Sequence, residues 1–270
     1  MAHGPWPVIL LPGGILPAQP AYAGLLAELG DEVDAHTKDL EMYAGEVIPP
    51  PGFSLETEVE GILRTATDAG FETFHLVGYS AGGASSLAFA SRYPERLRSL
   101  ALMEPAWAGR TGQTREEAAV FARFRAIPEM SADEIMPAFV RTQLADGVEP
   151  PAPPPGPPPP WMPSRLAGIG GFIAAFDAYQ PDFDVFRRFD RPVYFALGGR
   201  GNPDLYARMA ARLQDLFPDF TLDVYADRHH FDPPHRIEPA RLAKALLDLW
   251  SRAESRQDGP GSRITPRTDG

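Results

Sequence analysis

The chain contains no cysteine, which excludes disulfides, thiol catalysis and cysteine metal sites while leaving the redox compartment open. Lysine is almost missing too: Lys38 and Lys244 are the only ones, so arginine carries nearly all of the positive charge. Positive charge is also in deficit overall, and a net charge of −11 argues against nucleic acid or an anionic membrane as a partner. No apolar run is long enough to cross a bilayer, and the start Met1-Ala2-His3-Gly4-Pro5 has neither the basic nor the apolar region of a secretory signal. The histidines lack a metal-binding spacing such as H-E-x-x-H, so neither a metal nor an organic cofactor is expected. A soluble cytoplasmic enzyme is the default expectation, with its oligomeric state open.

What is present is enough apolar residue, 44% of 270, to bury a large core in one α/β domain with an insertion. Short apolar runs predict strands at Val8–Leu11, Val33–Leu40, Phe74–Val77, Leu97–Met103, Val193–Leu197 and Phe220–Tyr225. Between them, helical patterns cover Ala21–Leu29, Leu55–Ala69 with Ser54 as its cap, Gly83–Ala88, Asp204–Leu216 and Glu238–Trp250. Strands alternating with helices imply a parallel sheet covered on both faces, with ligands at the carboxyl ends of the strands. The core is expected at 1–106 and 192–251. Residues 107–191 form an insertion with helical periodicity at Arg115–Ile127, Ala132–Leu144 and Leu166–Ala178, read as a helical cap over the strand ends. Its proline-dominated stretch 149–163 is a stiff connector or, alternatively, a ligand for a proline-binding partner. A polar, disordered tail is expected at 252–270.

The chemistry concentrates on Gly78-Tyr79-Ser80-Ala81-Gly82, a G-x-S-x-G pattern between an apolar strand and a small-residue helix. A turn this sharp holds its serine in a strained conformation and needs small neighbours so that strand and helix can approach. It presents the Ser80 hydroxyl above the sheet, with the Ala81 amide pointing the same way. The competing reading is a glycine-rich turn whose serine merely caps a helix. A serine hydroxyl needs a histidine to take its proton, and the histidine needs an anion to fix its tautomer. His3, His36 and His75 sit in or before early elements and read as structural. His230, in the loop Ala226-Asp227-Arg228-His229-His230-Phe231 after the last strand, is the candidate base, with His229 as alternative. His235 is expected to make a local bond with Asp232 or Asp227.

Together, the early strand-to-glycine turn, the acidic turn Lys38-Asp39-Leu40, the elbow and the histidine before Phe231 resemble the α/β-hydrolase superfamily, over roughly Trp6 to Trp250. The resemblance implies a sheet shortened at its start to about six strands. It also implies an oxyanion hole from the amides of Ala81 and Gly14, with Ile15 as a near alternative. Serine at the elbow separates the chain from superfamily members that use aspartate there for epoxides or haloalkanes. The family's acid commonly follows the strand corresponding to Val193–Leu197, but this chain has Gly198-Gly199-Arg200-Gly201 there. An anion at an apolar strand end is costly unless paired. Glu104, which ends the strand beside the elbow strand, is therefore the expected acid, with Asp204 as the alternative. Trp107, Trp161 and Phe172 are the candidate pocket residues, with Met162 and Phe176 beside them. An aromatic, uncharged lining favours an apolar ester or related acyl compound. A carbon–carbon bond hydrolase with the same residues and a non-catalytic ligand receptor are the alternatives.

Overall fold

The computed structural model describes residues 4–152 and 156–257. Six strands, β1 (Trp6–Leu11), β2 (Val33–Thr37), β3 (Phe74–Tyr79), β4 (Leu97–Met103), β5 (Val193–Gly198) and β6 (Phe220–Tyr225), form one sheet in the order β2-β1-β3-β4-β5-β6. Every pairing is parallel, as the alternation of strands and helices predicts. Because β2 lies on one side of β1 and β3 on the other, the chain reverses direction across the sheet between β1 and β3. That reversal opens a crevice at their carboxyl ends, and the Gly13-Gly14 turn and Ser80 both sit there.

Side-chain alternation divides the core. From β1, Ile9 and Leu11 face a layer built on α2 (Leu55–Asp68) and α3 (Ala81–Arg92). Val8 and Leu10 face the opposite layer, with Tyr22 and Leu25 of α1 (Ala18–Leu29) and Leu246 and Trp250 from the C-terminal helix. Ser54 makes its predicted cap as a capping box with Thr57 at the start of α2. Strand β2 stops at Thr37, short of the predicted Leu40, because the next residues are used elsewhere. The Lys38 amide still donates to Leu10 O at 3.0 Å, but Asp39 Oδ1 accepts from the Ala18 amide at 2.8 Å, satisfying the start of α1.

Between β4 and β5 the insertion contributes α4 (Arg115–Ala126), α5 (Ala132–Thr142), α6 (Met162–Ala178) and the short α7 (Phe183–Arg187). Helix α6 starts earlier than predicted, inside the proline-rich segment, of which 153–155 lie outside the described residues. After β5 the predicted helix from Asp204 divides into a π-helical turn, Pro203–Ala207, and α8 (Arg208–Gln214). Insertion and core are joined by a buried ion pair, Arg212 Nη2 to Glu117 Oε1 at 2.7 Å, and Arg212 Nη1 also donates to Ala108 O. After β6 come α9 (Pro234–Ile237) and α10 (Pro239–Gln257). Helix α10 runs past the predicted tail boundary because Glu254 is held by Arg98 at 3.0 Å beside buried His75. The rest of the predicted tail, 258–270, lies outside the described residues, as does His3. No helix among the described residues is long and apolar enough to cross a membrane.

A buried carboxyl secures the loop after β2. Both oxygens of Glu58 accept backbone amides, from Glu41 at 3.0 Å and Met42 at 3.1 Å, and this holds the turn that delivers Tyr43. Burial raises the Glu58 carboxyl from the ordinary 4.5 to about 7, against the opposing pull of Lys38. The folded state therefore keeps a proton that the unfolded chain loses near pH 4.5, so this stabilisation is complete below that pH and is lost as pH rises to about 7. Relative to Glu58→Gln, wild type should lose on the order of 2–3 kcal/mol of stability over that window, read from paired urea melts. A difference that does not change with pH would contradict this.

Candidate active site

The elbow exists because glycine stands where side chains would collide. A Cβ on Gly78 would lie 2.3 Å from Ser86 Oγ and 2.5 Å from Gly82 O, and one on Gly82 would lie 2.5 Å from Pro12 O. These contacts bring α3 down between β1 and β3. Ser80 pays with a left-handed backbone, φ 53° and ψ −116°, and its carbonyl accepts the amides of Ala84 and Ala106. Glu104 is the only other described non-glycine residue with positive φ, at 43°. Two strained residues thus stand side by side, at the ends of β3 and β4.

His230 joins them. Its Nδ1 lies 2.9 Å from Glu104 Oε2 and its Nε2 lies 3.0 Å from Ser80 Oγ. A carboxylate oxygen only accepts, so Nδ1 carries the ring proton and the Nε2 lone pair faces the serine hydroxyl. The other Glu104 oxygen, Oε1, accepts the Gly198 amide at 2.8 Å, so both oxygens of this buried carboxyl have donors. Gly198 and Gly201 make this possible. A Cβ on Gly198 would lie 3.0 Å from Glu104 Oε1, and one on Gly201 would lie 3.3 Å away. Asp204 sits apart and binds Arg208 Nε at 2.9 Å, while Asn202 caps the turn that follows.

The neighbouring histidines have other employment. His229 Nδ1 accepts the Phe231 amide, its Nε2 stands 3.3 Å from Asp232, and burial lowers its pKa. His235 does not make the expected bond to Asp232 or Asp227. It is fully buried, packs on Tyr22 and Tyr79, has no hydrogen-bond partner among the described residues for either ring nitrogen, and is pushed down to about 3 by burial. Asp232 is taken by His229 because Pro233 and Pro234 turn the chain between Asp232 and His235.

Above Ser80 is a cleft, part of it open to solvent. Gly14, Ile15 and Ala81 form its floor with Ser80, and Phe121, Phe124, Phe139, Ile169, Phe172 and Phe176 of the insertion wall it. The amides of Gly14 and Ala81 donate to no other group among the described residues. Of the candidate pocket residues, Trp107 and Phe172 line the cleft and Trp161 does not. Trp161 precedes α6 and faces the guanidinium of Arg165, 5.8 Å from its ring centre. Tyr43, Gln143 and Tyr206 also line the cleft, although no motif marks them, and Tyr43 donates to Gly14 O at 2.6 Å. The three-residue helical spacing of Phe121 and Phe124 is a signal that marks them; Tyr43, Gln143 and Tyr206 carry none. No group of three or more His, Asp or Glu among the described residues is arranged to hold a metal ion.

Known proteins share this fold. A family model described as alpha/beta hydrolase fold matches residues 60–149. An esterase from Thermogutta terrifontis superposes with a TM-score of 0.68 at 16% identity, covering 93% of this chain and 92% of that one. A carboxylesterase from Bacillus subtilis gives 0.60 at 17%, covering 92% and 84%. A 2-hydroxy-6-oxo-6-phenylhexa-2,4-dienoate hydrolase from Rhodococcus sp. strain RHA1 gives 0.61 at 18%, covering 92% and 91%. No curated protein sequence matches the chain.

The steric account separates two glycines of the site. Gly78→Ala should lower stability by about 2–4 kcal/mol, since the backbone itself must shift. Gly14→Ala, whose Cβ would meet nothing closer than 3.6 Å, should leave the melting midpoint within experimental error of wild type. Equal midpoints for the two variants in denaturant melts would refute the close-approach explanation.

Proposed function

The chain has the α/β-hydrolase fold, and from that frame we propose that it is a serine hydrolase of carboxylic esters or related acyl compounds, acting through an acyl-enzyme. The observation that carries this reading is the unbroken line Ser80–His230–Glu104, at 3.0 and 2.9 Å, on the floor of an apolar cleft. Ser80 Oγ attacks the acyl carbonyl while His230 Nε2 takes its proton, and the Nδ1–H bond to Glu104 stabilises the imidazolium that forms. The carbonyl oxygen gains negative charge and is met by the amides of Gly14 and Ala81, which need no reorganisation when the charge develops. His230 then gives its proton to the leaving alcohol. Water, activated by the same imidazole, releases the acid and restores Ser80. No cofactor enters these steps.

Serine nucleophilicity supplies the first test. A fluorophosphonate probe should label Ser80 in wild type and fail to label Ser80→Ala. Turnover of p-nitrophenyl butyrate should fall about 10²–10⁴-fold in Glu104→Gln and stay near wild type in Asp204→Asn. An unlabelled wild type would favour the non-catalytic receptor, and an active Glu104→Gln would remove Glu104 from its role.

The wall of the cleft supports a substrate with an apolar acyl group. Each methylene buried there is worth up to about 0.8 kcal/mol. Among p-nitrophenyl esters, kcat/KM should therefore climb roughly twofold to fourfold per carbon from acetate until the cleft is full. A flat series would speak against the aromatic wall as an acyl pocket. The likeness to the Rhodococcus carbon–carbon bond hydrolase keeps a vinylogous diketone substrate as the second reading, tested by the same enzyme on such a compound.

A further inference from the structure

We propose that Tyr206 is a positioning residue for His230, and that Gln143, in the wall of the cleft, holds Tyr206 in place, so that the insertion shares in aiming the base. The inference rests on His230 being that base. Hydrogen bonds at Nδ1 and Nε2 fix the direction of the imidazole in its own plane. They leave the ring free to tilt about the line joining the two nitrogens. A flat neighbour parallel to the ring removes that freedom. Tyr206 is such a neighbour: its ring lies 4.7 Å from His230, centre to centre, with 8° between the planes. Tyr79 also packs on the imidazole, at 5.0 Å but inclined by 33°, and Phe231 meets it edge-on at 5.3 Å.

Tyr206 needs an anchor of its own, because it sits in the π-helical turn Pro203–Ala207 and not in regular helix. Its hydroxyl donates to Gln143 Oε1 at 2.6 Å, and both residues are buried. Burial pushes the Tyr206 hydroxyl well above its ordinary range, so it remains a donor. Gln143 is fixed in turn, with Nε2 donating to Phe139 O at 2.9 Å. The two segments are stitched together around this bond. The Asn202 amide donates to Gln143 O at 2.9 Å, Asn202 Nδ2 donates to Thr142 O at 2.8 Å, and the Ala145 amide donates to Arg200 O. The last residue of β5, just before this loop, supplies the Gly198 amide to Glu104. The end of α5 therefore reaches the base through Tyr206 and the acid through Gly198, while Gln143 itself faces the cleft. A group seated in the cleft against Gln143 bears directly on the support of the imidazole.

Four variants separate the parts of this arrangement. Tyr206→Phe keeps the stacked ring and loses the bond, Gln143→Leu loses the bond from the other side, Tyr206→Leu loses both, and the fourth combines Tyr206→Phe with Gln143→Leu. With p-nitrophenyl butyrate, Tyr206→Leu should lose about 10²-fold in kcat with KM within about threefold of wild type. Tyr206→Phe should fall between the two, about threefold to tenfold below wild type in kcat. The double variant should be no slower than the slower of its two parents, since one bond cannot be lost twice. The proposal is overturned if Tyr206→Leu keeps its kcat, if its loss lies wholly in KM, or if Tyr206→Phe is no better than Tyr206→Leu. Should Tyr206→Leu fail to fold, full kcat in Tyr206→Phe and Gln143→Leu would overturn it equally. His230→Ala separates this from the parent reading. If that variant still reacts with fluorophosphonate at the wild-type rate, His230 is not the base; if only the Tyr206 variants do, the positioning role alone is lost.

Discussion

Everything in the site depends on how closely α3 approaches β1 and β3. That approach places the Ser80 hydroxyl above the sheet, and it requires Gly78 and Gly82 to present no side chain. It also commits Ser80 to a left-handed backbone that serine does not favour, at a cost on the order of 1–3 kcal/mol. The cost is recovered from the packing around the elbow. Helix α3 is buried from Ala81 to Ala90, and the Ser80 carbonyl and amide are both tied, to Ala106 and Met103 among others. The elbow is thus held by the core, and its strain persists because the surrounding contacts leave no alternative. Glu104, strained in the same sense at the neighbouring strand end, is held by Gly198 and His230 in a comparable way.

Local pattern carried much of this in the sequence. The bounds of β4 and β6 follow from apolar runs with clear ends, and α2 from its cap. Where the sequence reading and the structure part, a distant partner decides. Strand β2 ends early because Asp39 is drawn to the start of α1, and α10 extends because Arg98 and His75 reach Glu254. The short helices α7 and α9 have too few residues for a period to show. Among functional residues, Ser80 and His230 have motif context, and Glu104 announces itself as a charge at an apolar strand end. Tyr43, Gln143 and Tyr206 carry no such mark, since their place in the site comes from loops folding back over it.

The insertion does two jobs with one set of residues. Its phenylalanines make the cleft apolar, with Trp107 packing edge-on against Phe121 at 4.7 Å and Phe172 stacked on Phe176 at 5.5 Å. Its tethers to the core, Glu117 to Arg212 and Thr142–Gln143 to Asn202, fix those walls over Ser80. Beside an apolar wall the buried hydrogen bonds of this line are electrostatically stronger than they would be in water. Gly198 at the end of β5 and Gly201 just after it are the complement of this design. They leave room for the long side chain of Glu104 to reach His230.

The central claim is that Glu104, and no other carboxyl, holds the Nδ1 proton of His230. Proton NMR reports it directly, because an imidazole N–H bonded to a buried carboxylate resonates far downfield of the amide envelope. This resonance should be present in wild type and in Asp204→Asn, and absent in both Glu104→Ala and His230→Ala. A downfield resonance that survives in Glu104→Ala would contradict it.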